Sequence, residues 1–408
     1  MISRNSILEW LIIGGGVHGT YLSNALIRNR ITRRSDLRVL DPHDEPLREW
    51  KKCTSNVGMK YLRSPKVHHL DLEPFSLKHF GVCESCDERL YIPPNDRPSL
   101  KLFNRHAENV IDRNGLQNLR IKEVALRIKP GRTFHTVFGS EHIYKTKNIV
   151  IAAGNGKPFW PEWATFIRNE GAKIMHVLGD CFDKKRIPEQ AVVAVVGGGM
   201  SAVQTAISLA SEHREVVLIS PHSIQINNYD SDPGWMGPKY LQKFRMEPNY
   251  KRRRRWINEA RNRGSVTQEL YRNFALLRKN KQCRFYAGKV VSADPVSSEM
   301  ILLHLDTAEV TAANVIILAT GFEQGLPGGA MISELARDSG FRCASCGFPI
   351  PDRYLRWWDG IYLSGSLGEL ETGPSAPNLI GARMAANKIL SAASKTTDSS
   401  YKLYKNGY

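Results

Sequence analysis

One arrangement of strand, glycine-rich turn, helix and strand constrains the fold of this chain more than any other feature, because it occurs twice. In the first copy, a short apolar strand at 10–13 runs directly into the turn Gly14-Gly15-Gly16-Val17-His18-Gly19. A helix is predicted over 20–27, and a second apolar strand follows at 37–40 and ends at Asp41. A helix that connects two strands in this way places them side by side and parallel, so the stretch predicts one βαβ unit.

The second copy begins with a longer apolar strand at 191–196. This strand runs into the turn Gly197-Gly198-Gly199-Met200-Ser201-Ala202, and a predicted helix at 203–210 leads to a strand at 216–219 that ends at Ser220. Two such units predict an α/β fold with two Rossmann-like βαβ dinucleotide-binding domains.

The first turn has the spacing G-x-G-x-x-G, which suits the diphosphate of a dinucleotide. Gly14 permits the tight turn off the strand, Gly16 lets the backbone approach the diphosphate, and Gly19 lets the helix pack closely on the strand. The helix N-terminus offers free N–H groups to the phosphates, and the Asp41 carboxylate stands where it can accept hydrogen bonds from ribose hydroxyls. We therefore predict an FAD site formed by Gly14, Gly16, Val17, His18, Gly19 and Asp41.

The second turn is a G-x-G-x-x-A variant of the same motif. Ser220 stands where an acidic residue would bind the 2′-hydroxyl of NADH, and the lack of a carboxylate there removes repulsion toward a 2′-phosphate. This favours NADPH, with NADH as the alternative. The positive partner of the phosphate is predicted to be either His222 or an arginine at 252–255. The predicted nicotinamide site consists of Gly197, Gly199, Met200, Ser201, Ala202 and Ser220.

Each unit is followed by a closing strand that ends in small residues. The two closing strands set the limits of the predicted domains. The first strand ends at Gly154 and the second at Thr320 and Gly321, so these three residues join the predicted cofactor sites. A further strand at 361–363 and a helix at about 376–393 are expected to return to the first domain. The FAD-binding domain is thus predicted as 1–188 and 323–408. The NAD(P)H-binding domain, at 189–322, is inserted in it and carries a basic helical insertion at about 225–285.

The two closed units make the chain resemble two-dinucleotide-binding-domain flavoproteins, and within them the lysine/ornithine N-hydroxylase branch of the single-component flavin monooxygenases. The segments that carry this resemblance are 59–65, 74–77, 174–176 and the Ala-Thr-Gly-Phe ending at 319–322. The resemblance implies that Pro377, Asn378 and Gly381 face the flavin ring; an ordinary loop-to-helix turn is the alternative. The fingerprint typical of flavin-containing monooxygenases is absent or degenerate around His176, and the C-terminal segment 365–383 differs from that of the amino-acid hydroxylases.

The resemblance implies hydride transfer from NADPH to the flavin, followed by transfer of one oxygen atom to a nucleophilic nitrogen or sulfur of a small molecule. The cofactor carries this chemistry, so no catalytic residue is predicted. The polar and aromatic segment at 229–240 is either a substrate lid or an ordinary surface loop. Two other functions stay open: an NAD(P)H-dependent flavin reductase of a disulfide or small acceptor, and a non-catalytic flavin-binding regulatory protein.

The net charge and the cysteine content limit the classes of partner and metal site that the chain could have. The net charge of +17 is densest at 251–255, where a solvated helix face or a phosphate contact is expected rather than nucleic-acid binding. Two C-x-x-C pairs, Cys83 with Cys86 and Cys343 with Cys346, have the ligand count of a zinc site, but a whole glycine motif separates them. We predict no metal, although a redox dithiol stays open. A cytoplasmic location without a membrane span is expected, and an oligomer is possible.

Overall fold

A computed structural model describes residues 6–83, 89–154, 156–297 and 299–405, without the side chains of 395–405. Cys86 lies outside the described residues. The strands are β1 Ile7–Ile13, β2 Leu37–Asp41, β3 Tyr91–Ile92, β4 Arg97–Pro98, β5 Arg120–Lys122, β6 Ala125–Lys129, β7 His135–Gly139, β8 Ile143–Ile151, β9 Ile174–His176, β10 Val192–Val196, β11 Glu215–Ser220, β12 Gln225–Ile226, β13 Ser265–Val266, β14 Cys283–Ala287, β15 Val290–Ser297, β16 Met300–Leu305, β17 Val310–Ala313, β18 Val315–Leu318, β19 Arg356–Trp358 and β20 Ile361–Leu363.

Helices connect these strands, and short 3₁₀ turns lie between several of them. The helices are α1 Val17–Arg28, α2 Arg48–Asn56, α3 Ser76–Val82, α4 Leu100–Arg113, α5 Glu162–Asn169, α6 Met200–Ser211, α7 Pro238–Met246, α8 Tyr250–Ala260, α9 Gln268–Lys279, α10 Gly329–Ser339, α11 Glu369–Thr372 and α12 Leu379–Lys405. Among the described residues, none of these helices combines the length and apolarity that a membrane crossing requires.

The first sheet has eight strands around a parallel centre. Its order is β19-β20-β8-β1-β2-β5, and the antiparallel pair β6–β7 is attached to β8. Strand β1 pairs in parallel with β2 and β8, so the ends of all three lie at one edge of the sheet. The glycine turn that follows β1 therefore lies beside Asp41 at the end of β2, where parallel sheets bind their ligands.

The second sheet repeats this arrangement with five parallel strands in the order β14-β11-β10-β18-β9. Its centre is a continuous apolar run because both faces are covered. Helices α6 and α9 cover one face, and the three-stranded sheet β15–β16–β17 with α5 covers the other. Val193, Ala194 and Val195 are fully buried. The two sheets confirm the predicted α/β fold with two Rossmann-like units.

The stretches between the units show how the chain passes from one sheet to the other. Strand β9 pairs with β18 in the second sheet, although it lies within the range 1–188 assigned to the first domain. Strand β20 returns to β8 of the first sheet, and α12 packs against α1. The range 225–285 contains α7, α8 and α9. The domain limits drawn from the sequence stay a prediction.

Candidate functional site

The first glycine turn leaves no room for side chains at two of its glycines. A methyl group on Gly14, whose φ is +101°, would lie 2.5 Å from the carbonyl oxygen of Ala152. A methyl group on Gly19 would lie 1.8 Å from the carbonyl oxygen of Gly14. Helix α1 begins at Val17, with Gly16 before it and no side-chain cap or acidic residue in its first turn. Its first N–H groups are therefore available to an anion, as a diphosphate site requires.

Asp41 is held at the end of β2 by three donors. Its carboxylate accepts hydrogen bonds from the backbone N–H of Gly15 at 2.5 Å and of His43 at 2.9 Å. The third donor is Arg120, whose Nη2 lies 2.8 Å from Oδ1 of Asp41. This orients the carboxylate beside the glycine turn, in the place predicted for a ribose contact.

Arg120 is the residue of this site that the sequence analysis missed. It begins β5, which pairs with β2, and its guanidinium also donates to the carbonyl oxygens of Gly15 and His43. A methyl group on Gly15 would lie 1.9 Å from Nη1 of Arg120, so the middle glycine leaves space for this arginine. Burial is the larger effect and lowers the pKa of Arg120 below its usual value, although the adjacent Asp41 carboxylate opposes this shift. A basic residue that opens the strand beside an acid-terminated strand was the available signal.

His18 connects the first turn to the loop at 373–378, which lies between α11 and α12 and which we call the C-terminal loop. Its Nδ1 lies 2.8 Å from Oγ of Ser364, and its Nε2 lies 3.3 Å from the carbonyl oxygen of Pro377. A carbonyl accepts only, so Nε2 carries the proton and Nδ1 accepts from the Ser364 hydroxyl. Burial lowers the pKa of His18 to about 4, which keeps the ring neutral at physiological pH.

The predicted flavin-facing residues lie where this histidine contact places them, at the start of α12. Asn378 directly precedes α12, and its carbonyl oxygen accepts from the N–H of Ala382 at 3.3 Å. A methyl group on Gly381 would lie 2.0 Å from the carbonyl oxygen of Ala376, so only glycine lets the helix approach the loop. The structure thus brings Pro377 next to the first glycine turn, while the flavin contact itself stays a prediction.

The second glycine turn repeats the geometry of the first. Gly197 has φ +147°, and a methyl group there would lie 2.4 Å from the carbonyl oxygen of Ala319. Helix α6 begins at Met200, so Ser201 and Ala202 lie in its first turn, with Gly199 before it and no side-chain cap. Ala202 is fully buried, and its methyl group packs in the apolar core of the second unit.

The small residues that close the two units contact their surroundings through the backbone and through one hydroxyl. The Thr320 hydroxyl donates to the carbonyl oxygen of Phe159 at 2.5 Å and lies 3.1 Å from Nε2 of His176. The carbonyl oxygen of Gly321 accepts from the N–H of Phe159 at 2.9 Å. Gly154 lies exposed beyond the end of β8.

His222, and not the arginine cluster, lies beside Ser220. The Ser220 hydroxyl donates to the carbonyl oxygen of His222 at 2.6 Å. Methyl groups on Gly198 and Gly264 would lie 3.1 Å from Cε1 and 2.8 Å from Nε2 of His222. The imidazole therefore lies between the second glycine turn and the turn around Gly264.

The arginines at 252–255 contact carboxylates elsewhere in the described part of the chain, so the prediction that one of them reaches Ser220 receives no support. They pair as follows: Arg252 with Glu247, Arg253 with Glu371, Arg254 with Glu369 and Arg255 with Glu259.

The segment at 229–240, predicted as a lid or a surface loop, packs against the C-terminal loop. The hydroxyls of Ser231 and Ser375 lie 3.2 Å apart, and both residues are buried. A methyl group on Gly373 would lie 3.5 Å from the Trp235 ring. Arg63 holds the segment from the other side, because it donates to the carbonyl oxygens of Asn227 and Tyr229 and pairs with Asp230.

The cysteines form no metal-ligand cluster within the described residues. The group there that could hold a metal is Glu123, Glu141 and His142. Burial raises the pKa of Glu123, but hydrogen bonds from Tyr144, His142 and backbone N–H groups outweigh it and lower the pKa to about 2. Cys343 lies in a tight hairpin, in which the N–H of Ala344 bonds to the carbonyl oxygen of Phe348. Cys83 is an exposed free thiol.

Sequence comparison matches the chain to a known protein family over part of its length. A family model described as pyridine nucleotide-disulphide oxidoreductase matches residues 73–260, somewhat less than half of the chain. No curated protein sequence matches the chain.

Solved structures match over nearly the whole length. Ornithine hydroxylase from Pseudomonas aeruginosa is 18% identical with a TM-score of 0.72, covering 95% of this chain and 99% of its own. The ornithine N-hydroxylase of Kutzneria sp. 744 is 17% identical with a TM-score of 0.73, covering 96% and 100%. A bacillithiol disulfide reductase from Bacillus cereus is 16% identical with a TM-score of 0.60, covering 96% and 100%. The chain has the fold of the two-dinucleotide-binding-domain flavoproteins.

Proposed function

We propose that this chain is an FAD-dependent, NAD(P)H-consuming monooxygenase that oxidises a nucleophilic nitrogen or sulfur of a small molecule. FAD occupies the first glycine turn and supplies the redox chemistry and the activation of oxygen when bound. NADPH, rather than NADH, occupies the second turn beside Ser220 and His222. The structures in the comparison that carry ornithine hydroxylase or N-hydroxylase names support this choice by their fold.

The fit of the chain to FAD rests on its own residues. Gly14 and Gly19 have no space for side chains, the N-terminus of α1 is uncapped, and Asp41 is fixed by Arg120. Diphosphate and ribose thus have their expected partners in one place. Around this site, His18 holds the loop at 374–378 through Pro377, and its neutral ring adds no charge there.

One observation carries the monooxygenase function: the lid segment at 229–240 covers the C-terminal loop through the buried contact between Ser231 and Ser375. Oxygen transfer requires that water be kept from the reacting centre, and a cover over the flavin-facing loop supplies this. Arg63 contributes by clamping the segment from the first domain. A disulfide reductase would instead need an accessible dithiol beside the flavin.

The experiment is a coupled assay on the purified, FAD-loaded protein. Flavin bleaching by NADPH is followed without oxygen. Oxygen uptake and product masses are then measured with a panel of primary amines, amino acids and thioethers. We expect fast bleaching and, with at least one compound, a product heavier by one oxygen atom. Bleaching that reverses only with a disulfide acceptor would refute the monooxygenase.

The reductase is the second candidate, since the matching family model carries a disulphide oxidoreductase description and the bacillithiol disulfide reductase shares the fold. The pair Cys343 and Cys346 is its available dithiol, and Cys343→Ser would then abolish activity. For the monooxygenase, the same change leaves NADPH oxidation unaltered. We further propose a small-molecule substrate and a cytoplasmic location.

A further inference from the structure

A tight hairpin at residues 343–349, which we call the cysteine hairpin, carries one of the two C-x-x-C pairs. The N–H of Ala344 donates to the carbonyl oxygen of Phe348 at 2.8 Å across the hairpin. The N–H of Gly347 closes the tip on the carbonyl oxygen of Ala344, also at 2.8 Å, and Gly347 has φ +79°. A turn that ends in a left-handed residue in this way requires glycine there, as Cys346-Gly347 provides.

The turn places both thiols of the hairpin at the spacing of metal ligands. Cys343 stands immediately before the turn, and Cys346 lies within it. C-x-x-C is the spacing with which zinc sites take two ligands from one turn. Burial raises the pKa of the Cys343 thiol, and the charge of Cys346 raises it further. A cation bound to both sulfurs removes this repulsion, because both then bind as thiolates.

One chain supplies two ligands at the cysteine hairpin, whereas a structural zinc ion takes four. Cys346 is exposed and Cys343 is half-buried, so the pair can be reached from solvent. Within the described residues, no third histidine, cysteine or carboxylate lies close enough to form a metal-ligand group with the two sulfurs. The hairpin therefore offers half of a tetrahedral site.

The second C-x-x-C pair of the same chain begins on the other side of the first sheet. Cys343 packs on the sheet face that carries Leu11 and Ile13 of β1. Successive strand residues point to opposite faces, and the cluster on the opposite face contains Ile12 together with apolar residues of α4. Helix α3, which ends just before Cys83, contacts α4. A site shared by Cys83 and Cys343 would have to span the sheet, so the other two thiolates must come from a second copy of the chain.

An exposed tryptophan and an open strand edge adjoin the cysteine hairpin. Strand β19 is the outermost strand at one end of the first sheet within the described part of the chain. It is joined to the start of the hairpin because Nε1 of Trp357 donates to the carbonyl oxygen of Arg342 at 2.9 Å. The Trp358 ring stacks on Phe341, with ring centroids 4.7 Å apart, yet Trp358 stays 47% exposed. Exposed tryptophans and free strand edges are features that protein interfaces cover.

From these observations we infer that two copies of the chain bind one zinc ion between their cysteine hairpins. Cys343 and Cys346 of each copy supply the four thiolates, and a two-fold axis passes through the metal because one surface pairs with itself. Trp358 and β19 lie beside the hairpin and are covered in the dimer. The prediction of no metal rested on the glycine motif that separates the two C-x-x-C pairs of one chain, and pairing between copies removes that obstacle.

The test measures the metal content and the mass of the FAD-loaded protein. The protein is first stripped of metal with a chelator and kept reduced with a phosphine, and zinc is then added while analytical ultracentrifugation follows the mass. We expect the mass to double with about half a zinc ion bound per chain, and a chelator to reverse both changes. Cobalt(II) in place of zinc should give the visible and charge-transfer absorption bands of a tetrathiolate site.

Three variants locate the metal and the interface. Cys346→Ser, a change at an exposed position, should lose both the doubling of mass and the cobalt bands. Cys83→Ser is the matched control, because it removes an exposed free thiol of the other C-x-x-C pair, and it should behave like the wild type. Trp358→Gln keeps all four ligands but should weaken the zinc-loaded dimer about tenfold or more, since an aromatic anchor is lost. Flavin absorbance and the unfolding temperature show that each variant is folded.

Several results would overturn the inference. Zinc uptake by Cys346→Ser equal to that of the wild type would place the metal elsewhere, and zinc lost in Cys83→Ser would assign it to the other pair. One zinc ion per chain without a change in mass would exclude the shared site. A wild-type protein that takes up no zinc when reduced and forms a Cys343–Cys346 disulfide in air would assign the pair to redox chemistry. Because no turnover is measured, a protein that fails to consume NADPH would refute the proposed function and leave this result standing.

Discussion

Arg120 lies with its Nη2 atom 2.8 Å from Oδ1 of Asp41, although 78 residues separate the two in the chain. The side chains are only 5% and 10% exposed. The pair therefore fixes the carboxylate of the first dinucleotide unit in a largely water-free place, next to the backbone N–H of Gly15. This relationship makes Arg120 part of the proposed FAD site.

Replacing Arg120 with Met should both destabilise the protein and weaken FAD binding. Removal of one partner leaves Asp41 buried without its counter-charge, which costs about 3–5 kcal/mol. Thermal unfolding and titration of the apoprotein with FAD check the two effects. Arg127→Met, which changes an exposed arginine in the next strand, β6, serves as the control.

The double change Arg120→Met with Asp41→Asn separates stability from binding. The double variant contains no unpaired charge at this place, so it should regain most of the unfolding temperature that Arg120→Met loses. Its FAD affinity should stay low because the ribose contact is missing. If the double variant bound FAD as tightly as the wild type, neither side chain would belong to the site.

An alanine substitution in either glycine turn should remove the function of one cofactor site, and the two sites should differ in which function is lost. Gly14→Ala places a methyl group 2.5 Å from a carbonyl oxygen, and Gly197→Ala does the same at 2.4 Å. The backbone strain alone is about 1–3 kcal/mol. Gly14→Ala should purify without flavin, and Gly197→Ala should keep its flavin but resist bleaching by NADPH. Gly325→Ala, which meets no atom within 4 Å, should match the wild type. Flavin content and anaerobic bleaching rates are the measurements.

Acid should destabilise the protein through His18. Its pKa is lowered from 6.5 to about 4, so the unfolded chain binds a proton in this pH range that the folded chain does not. His18 therefore leaves the free energy of unfolding undiminished above pH 6.5. As the pH drops toward 4, it lowers the free energy of unfolding by up to about 3 kcal/mol.

Urea unfolding at pH 7.5 and pH 5 measures this contribution. His18→Gln should lose less stability between these two values than the wild type, and the exposed His79→Gln should lose as much. An identical loss in all three proteins would show that His18 titrates alike in the folded and unfolded states.

His222 should determine the choice between NADPH and NADH. The imidazole lies between the second glycine turn and Gly264, beside Ser220, where a 2′-phosphate is expected. His222→Gln should lower the ratio of kcat/KM for NADPH to that for NADH by about tenfold, since one charge-assisted contact is worth about 1.5 kcal/mol. Gln225→Ala, exposed three residues along, should leave the ratio unchanged. An unchanged ratio in His222→Gln would place the 2′-phosphate elsewhere.

Arg63 should keep NADPH consumption coupled to product formation. Its guanidinium donates hydrogen bonds to Asn227, Tyr229 and Ser265 and forms an ion pair with Asp230. Arg63→Met should therefore release the segment at 229–240. Water would then enter the site, and the hydrogen peroxide formed per NADPH should rise several-fold over the wild type. Lys60→Met, an exposed change nearby, tests for a nonspecific effect. Equal peroxide yields in Arg63→Met and the wild type would exclude a covering role.

The two dinucleotide units could be predicted because each is encoded in one short, continuous stretch. The strand that ends in Gly14 and the strand that ends in Gly197 each carry their turn and helix with them. Helix starts were harder to place: α1 begins at Val17 and not at 20, because the helix starts directly after the second glycine of the motif.

The flavin-facing role of the C-terminal loop is predicted from the resemblance to known flavoproteins, and the structure shows which contact brings this loop to the first turn. His18 and Pro377 are joined by a hydrogen bond across 359 residues of sequence, which no local pattern reveals. The phosphate partner was predicted as either His222 or the arginines at 252–255, and it is His222 that lies beside Ser220.

The sequence alone therefore determined that the chain forms two dinucleotide-binding units, since glycine spacing, strand and helix act within about 30 neighbouring residues. Only the tertiary structure decided what surrounds them. Arg120 reaches Asp41 because β5 pairs with β2, and Arg254 and Arg261 meet at Glu369 because the insertion folds back on α11. Such contacts depend on strand register and on the packing of segments far apart in the chain, and neither leaves a local pattern in the sequence.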